Sequence, residues 1–182
     1  LMPPRVGTHV LGCMYNAEGS IAGACGNGTR GPASLIMAER AVNQVVIRTI
    51  AGELLAWRDR DGGDISVQMG PVHTGWPDIP LSRAADTASL DLGLSGLGAA
   101  TAVSVGNPHA VFFVEDAEAI DVKKWGAEAE THPIFADRAN IEFVQVLSRR
   151  EIRMRVWERG VGITMACGSG ACASVAASVL RG

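Results

Sequence analysis

Aromatic residues are scarce in this chain: four Trp, four Phe and one Tyr make up 5% of its 182 residues. Cysteine is scarcer, with only Cys13, Cys25, Cys167 and Cys172. Four such scattered thiols do not make the disulfide framework of a small secreted domain. A chain of this length buries roughly 70% of its unfolded surface, so it needs no disulfide or metal staple to fold. The cysteines read as free thiols of a reducing compartment, which points to the cytoplasm. A basic cluster is also lacking. With 16 Lys+Arg against 19 Asp+Glu, the formal net charge is −3, which argues against a nucleic-acid binder and against a polybasic membrane anchor. No long hydrophobic run is present. The longest weakly polar stretch, Met165 to Leu180, is rich in Ala, Gly and Ser and is too short and too mild for a membrane span. What remains, 47% hydrophobic and 19% charged residues, is the composition of an ordinary globular domain and not of a disordered tail.

Both ends of the sequence read as truncated. The chain opens on Leu1 rather than Met and runs straight into Pro3-Pro4. It stops at Gly182, just after an apolar stretch that reads as helix.

Between the ends, strand-like alternation appears at Val45–Ile50 and Glu53–Trp57 around Ala51-Gly52, which suggests a hairpin. Asp61-Gly62-Gly63 reads as a turn before a strand at Ile65–Met69. The Pro/Gly/Ser/Asp-rich stretch Gly70–Ser95 lacks periodicity and reads as a connection between a half-domain at 1–70 and a second at 71–182. Strands follow at Ala102–Val105, Val111–Val114, Ile141–Val146 and Ile152–Trp157. A short helix at Asp121–Glu130 is capped by Asp121. Two further helices run from about Asn27 to Arg40, with Pro32 tolerable only in the first turn, and from about Ser169 to Leu180. The second carries small apolar residues on most sides, which predicts burial.

One pentapeptide pattern recurs. Ala24-Cys25-Gly26-Asn27-Gly28 and Ala166-Cys167-Gly168-Ser169-Gly170 are both A-C-G-x-G, and each sits just before a predicted helix. A cysteine there lies beside unpaired backbone N–H groups and the positive end of the helix dipole, a setting expected to lower the thiol pKa. The same N–H groups bind a carboxylate, and the glycines let it approach the backbone. Two such sites facing one cleft suit a specific task. One thiolate removes the α-proton of a bound amino acid from one face, and the other thiol returns a proton to the opposite face. No cofactor is needed, provided that aimed N–H donors stabilise the enediolate. The alternatives are that each cysteine merely packs before a Gly-rich turn, or that it binds zinc. Zinc fits poorly, because Cys167 and Cys172 are five apart and form no CxxC pair. Cys13 and Cys172 read as structural thiols.

The chain resembles the diaminopimelate epimerases in five segments taken in order. They are Tyr15-Asn16-Ala17-Glu18-Gly19-Ser20; Ala24-Cys25-Gly26-Asn27-Gly28-Thr29-Arg30; Gly106-Asn107-Pro108-His109-Ala110-Val111; Arg138-Ala139-Asn140-Ile141-Glu142-Phe143; and Trp157-Glu158-Arg159-Gly160-Val161-Gly162 running through Thr164 into Ala166-Cys167-Gly168-Ser169-Gly170. The resemblance implies an α/β (α+β) fold of two pseudo-symmetric domains, each a strand-rich layer wrapped around a central helix. It implies a cofactor-independent epimerase, working as a homodimer, that interconverts L,L- and meso-diaminopimelate for lysine and peptidoglycan synthesis, with no metal. Cys25 and Cys167 are then the acid/base pair. The backbones of Gly26, Asn27, Gly28, Gly168 and Ser169 cradle the reacting carboxylate. Arg159 pairs with the distal carboxylate, and Asn16, Asn107 and Asn140 fix the distal ammonium and carboxylate. Glu158 accepts from a substrate ammonium and, with His109, tunes the reacting end.

For His109 the alternative is a turn residue after Pro108, and for Asn107 and Asn140 it is local turn or strand-end bonding. The chain departs from the family pattern at Glu18, Gly31 and Ala139, and lacks the family's Gly-Asn-Asp-Phe stretch and its C-terminal strands. Proline-type racemases share the two-cysteine plan, but Glu158-Arg159 and the three Asn argue against them. Phenazine-type isomerases lack the cysteine pair. A non-catalytic amino-acid-binding fragment and a plain structural domain are the readings from other classes.

Overall fold

The computed structural model describes Val10, Leu11 and residues 26–49, 52–60 and 63–182. Cys13, Asn16, Cys25, Ala51 and the Asp61-Gly62 pair lie outside the described residues. The chain divides into two compact units, Leu1–Pro71 and Val72–Gly182.

In the first unit, β1 (Val10–Leu11), β2 (Gln44–Thr49), β3 (Gly52–Arg58) and β4 (Ile65–Val67) form a sheet in that order. β1 runs parallel to β2, and the other pairs are antiparallel. The hairpin expected near Ala51-Gly52 is present as the β2–β3 pair, with Thr49 opposite Gly52. Helix α1 (Gly26–Arg40) packs Ala33, Ile36 and Met37 on Val45, Ile47 and Ala56. Residues 33, 36 and 37 share one helical face, while 45 and 47 share one strand face, so the two periodicities meet in a single core.

The second unit holds β5 (Thr101–Ser104), β6 (Pro108–Phe113), α2 (Val122–Glu130), β7 (Asn140–Ser148), β8 (Glu151–Glu158), β9 (Gly162–Ile163) and α3 (Gly168–Arg181). The strands pair in chain order, parallel only between β6 and β7, whose connection carries α2. Asp121 caps α2 as its sequence predicts, its Oδ1 accepting from the Lys124 N–H at 3.0 Å.

The sheet is covered on both faces. Val103, Val111 and Val144 meet Ala173 and Ala177 of α3. Their strand neighbours Ala102, Ala110, Phe112, Ile141 and Phe143 point the other way, onto Val122 and Ala129 of α2 and onto Ile79, Leu81, Leu90, Leu92 and Leu94. Those last five residues correct one expectation. The Gly70–Ser95 stretch is not a mere connection, because from Val72 onward it belongs to the second unit and supplies buried core. It lacks periodicity because its apolar side chains reach the core from turns and bends rather than from one regular element.

The predicted burial of α3 is also corrected. Ala173 and Ala177 are buried, but Cys172 is exposed, and so are Val175, Val179 and Leu180. Small apolar residues on every side permit burial but do not supply a second layer to cover the helix. Cys172 is therefore not a core thiol. No helix among the described residues is long and apolar enough to cross a membrane.

Candidate active site

Strand alternation places the polar residues. On β6, His109 and Val111 face α3, and on β7 so do Asn140, Glu142 and Val144, because side chains two apart share a face. The far part of this face is apolar and packs on the body of α3. The near part carries His109, Asn140 and Glu142, all buried, and lies by the start of α3. The chain enters α3 through Cys167, an N-cap in extended conformation whose Sγ accepts from the Gly170 N–H at 3.4 Å. Both A-C-G-x-G segments open a helix at their first glycine, Gly26 in α1 and Gly168 in α3.

A continuous polar chain runs from the sheet to the thiol. Glu142 Oε1 lies 2.7 Å from His109 Nδ1, with both side chains fully buried. His109 Nε2 is 3.0 Å from Asn107 Oδ1. Asn107 Nδ2 donates to Ser169 Oγ at 3.4 Å, and Ser169 Oγ is 3.4 Å from Cys167 Sγ. His109 is thus a strand residue and not a turn residue, and Asn107 bonds both locally, to His109, and across to α3, to Ser169.

The expected lowering of the thiol pKa does not occur at Cys167. Burial raises it to about 11 from an ordinary value of 9.0, and the charges of Glu158 and Glu142 add to the rise. The Ser169 hydrogen bond and the Gly170 N–H pull the other way but are outweighed. The helix terminus supplies donors, but a thiol only 7% exposed loses the hydration that a thiolate needs. At neutral pH Cys167 is a protonated thiol. Its alkylation by iodoacetamide is therefore expected to climb about tenfold per pH unit up to about pH 11, with exposed Cys172 labelled first. Peptide mass analysis across pH 7–11 checks this, and a plateau for Cys167 below pH 9 contradicts it.

The remaining predicted residues of the second unit lie around the β8–β9 turn. Glu158 Oε1 accepts from the Thr164 hydroxyl at 2.5 Å. Asn140 is engaged at both ends of its amide, donating to the Pro108 carbonyl at 3.0 Å and accepting from the Arg159 N–H at 2.9 Å. It therefore anchors the backbone that carries Arg159. The Arg159 guanidinium is held through Nη1 by the Asp137 carbonyl at 2.9 Å and the Asp137 carboxylate at 3.1 Å.

Two residues escaped the sequence reading. Buried Glu130 accepts from Trp157 Nε1 at 2.7 Å and from the Gly160 N–H at 2.8 Å, which fixes the turn beside Arg159. Glu142 ends the polar chain. Its signal was visible as a carboxylate inside the apolar run Ile141-Glu142-Phe143-Val144.

In the first unit, Gly26 is buried at the start of α1, and Gly28 lies in its first turn. Asn27 is placed in the same turn, while Cys25 and Asn16 fall outside the described residues. Among the described residues no group of three or more His, Cys, Asp or Glu side chains is arranged to hold a metal ion. A groove of about 900 Å³ beside the C-terminal end of α3, lined by Gln145, Arg149, Ile152 and Val179 among others, includes none of the predicted site residues.

The model of the family described as "Diaminopimelate epimerase" matches residues 101–182. A diaminopimelate epimerase of Rhodospirillum centenum is 48% identical over 183 residues, covering 100% of this chain and 62% of that protein. One from Rhodopseudomonas palustris is 45% identical over 189 residues, covering 100% of this chain and 65% of that protein. The chain thus spans just under two thirds of the length of these curated relatives. Among solved structures, a probable proline racemase from Agrobacterium radiobacter superposes with a TM-score of 0.67 at 14% identity, covering 94% of this chain and 56% of that one. At that identity it speaks for the fold alone, the mixed α/β architecture that the sequence predicted. Along the whole of its length the chain is similar to diaminopimelate epimerases, and the model of that family matches its second part, residues 101–182.

Proposed function

We propose that this chain forms the two-thiol centre of a cofactor-independent epimerase that interconverts L,L- and meso-diaminopimelate. The observation that carries the reading is Cys167: a buried, protonated thiol at the N-cap of α3, its Sγ met by the Gly170 N–H, in a chain 48% identical to a diaminopimelate epimerase.

In one direction, a thiolate at Cys25 takes the α-proton. The C–H bond breaks, an S–H bond forms, and the electron pair passes into the substrate carboxylate as an enediolate. Cys167 then gives its S–H proton to the opposite face of the α-carbon and becomes the thiolate, which the Ser169 hydroxyl and the Gly170 N–H receive. The reverse reaction exchanges the two roles. A raised pKa suits the donor, because the thiol must keep its proton until a carbanion forms beside it. The N–H groups of Gly168 and Ser169, with those of Gly26, Asn27 and Gly28, hold the reacting carboxylate as its charge grows.

At the distal end, Arg159 takes the second carboxylate. Among the described residues only Nη1 is engaged, by Asp137, so the opposite edge of the guanidinium offers its paired donors for a bidentate contact. Asn107 and Asn16 add directional bonds there, and Asn140 holds the Arg159 backbone. Glu158 receives a substrate ammonium, and His109 tunes the reacting end. This reading places the protein in the cytoplasm, in lysine and peptidoglycan precursor synthesis, as a homodimer.

Incubation with L,L- and, separately, meso-diaminopimelate in D₂O tests it. The expected result is α-deuterium incorporation together with isomer interconversion. Ligand-induced stabilisation without any exchange would favour an amino-acid-binding role instead, and neither effect would remove both.

A further inference from the structure

We propose that Glu130 is a positioning residue for Arg159: from the end of α2 its buried side chain fixes the peptide that follows Arg159, and so sets the preference of the site for an amino acid with a second, distal carboxylate. The inference rests on the proposed epimerase reading, which gives Arg159 that carboxylate.

Arg159 stands in the tight turn between β8 and β9. The Val161 N–H donates to the Glu158 carbonyl at 3.0 Å, and Gly160 has a φ of 73°. A positive φ at the second central residue and not at the first marks a type II turn. Its central peptide, between Arg159 and Gly160, can flip to the orientation of a type I turn while both ends of the turn stay in place. The flip turns on ψ of Arg159 and φ of Gly160, and glycine opposes it little. A contact from outside the turn must therefore select one orientation.

Glu130 supplies that contact. Its Oε1 accepts from the Gly160 N–H at 2.8 Å, and this N–H belongs to the central peptide. Its Oε2 accepts from Trp157 Nε1 at 2.7 Å. A backbone N–H and an indole N–H can only donate, so both bonds run one way and together they hold both oxygens. The indole is seated against α2 where Gly126 has no side chain, since a Cβ there would lie 2.5 Å from Trp157 Cβ. On the other side of Arg159, Asn140 accepts the Arg159 N–H at 2.9 Å. Both peptide planes that flank the Arg159 Cα are thus pinned by buried side chains, and with them the direction in which the arginine leaves the backbone. The Asp137 contact at the guanidinium cannot do this alone. The Asp137 side chain is 83% exposed and competes with water, whereas that of Glu130 is 7% exposed.

Binding is measured by titration calorimetry with L,L-diaminopimelate and with L-lysine, the same skeleton without the second carboxylate. The unmodified chain is expected to prefer diaminopimelate, and Arg159→Gln to lose that preference. Glu130→Gln keeps the size of the side chain but turns an NH₂ group toward one of the two N–H donors, so one bond is lost. Its Kd for diaminopimelate should rise about tenfold while that for lysine stays within about twofold. In turnover, KM should rise with kcat little changed, because the reacting end is not touched. Added to Arg159→Gln, the same change should have no further effect on Kd, as expected of two residues that act through one contact. Gly160→Ala, at an exposed position whose φ alanine rarely adopts, frees the same peptide without entering the core and should show the same selective loss. Equal losses for both ligands, or additive losses in the double variant, overturn the positioning role, because a general weakening of the fold produces them. A preference retained in Glu130→Gln and Gly160→Ala but lost in Arg159→Gln also overturns it and leaves the epimerase reading standing. No preference in the unmodified chain overturns that reading and this inference with it.

Discussion

On the proposed epimerase reading, Cys167→Ala is expected to lose interconversion of the two diaminopimelate isomers by about 10²–10⁴-fold, the range that a positioned acid or base contributes. The reason is specific to the N-cap. Sγ is the atom that Ser169 and the Gly170 N–H address, and alanine leaves those donors aimed at nothing. Binding should persist, because the proposed carboxylate cradle is backbone and Arg159 is held by separate contacts with Asp137 and Asn140. A sharper signature follows from the two-face mechanism. With Cys167 gone, the proposed mechanism still lets Cys25 remove and return a proton on its own face. One isomer should then exchange its α-proton for deuterium without inversion, while the other does neither. The isomer composition and deuterium content of recovered substrate report both. Full interconversion by the variant would remove Cys167 from the chemistry.

Gly170→Ala should damage stability and turnover together. The added Cβ meets Glu142 Oε1 at 2.8 Å, Cys167 Cβ at 3.3 Å and Cys167 Sγ at 3.4 Å. The first distance is too short for any contact, and the carboxylate has little freedom to yield because it is fully buried and bonded to His109. Overpacking of this kind costs about 1–3 kcal/mol, which outweighs the gain of about 1 kcal/mol that alanine brings to a helix. Movement of the carboxylate or the thiol would also break the alignment of the polar chain, so on the proposed epimerase reading kcat should fall by about tenfold or more. Gly98→Ala is the control, since nothing lies within 4 Å of its Cβ position. Thermal unfolding and exchange rates of the two variants decide the matter. A Gly170→Ala chain as stable and active as the Gly98→Ala chain would mean that the carboxylate relaxes at no cost.

Much of the fold could be read along the chain. The β2–β3 hairpin, the strands β7 and β8, the helix α1 and the Asp121 cap follow from periodicity and capping, which are local properties. Other readings failed where the outcome depended on distant partners. Leu90, Leu92 and Leu94 carry no regular pattern, yet they fill the core against Phe112 and Phe143, because bends can deliver side chains that no period announces. Val175 and Val179 looked like core residues and lie exposed, because the sheet covers only one side of α3.

The site divides in the same way. The paired A-C-G-x-G segments were legible in the residues themselves, whereas Asn107, His109, Asn140, Glu158 and Arg159 were singled out by the resemblance to the diaminopimelate epimerases. Their state was legible from neither. The pKa of Cys167 turns on how much solvent α3 and the sheet exclude and on two carboxylates from β7 and β8, and electrostatic energies depend on distance and dielectric in space, not on separation in sequence. So the sequence by itself determined that a thiol begins α3, while only the tertiary structure decided that this thiol keeps its proton and that Glu142, from a strand 25 residues earlier in the chain, lies at the far end of the polar chain that reaches it.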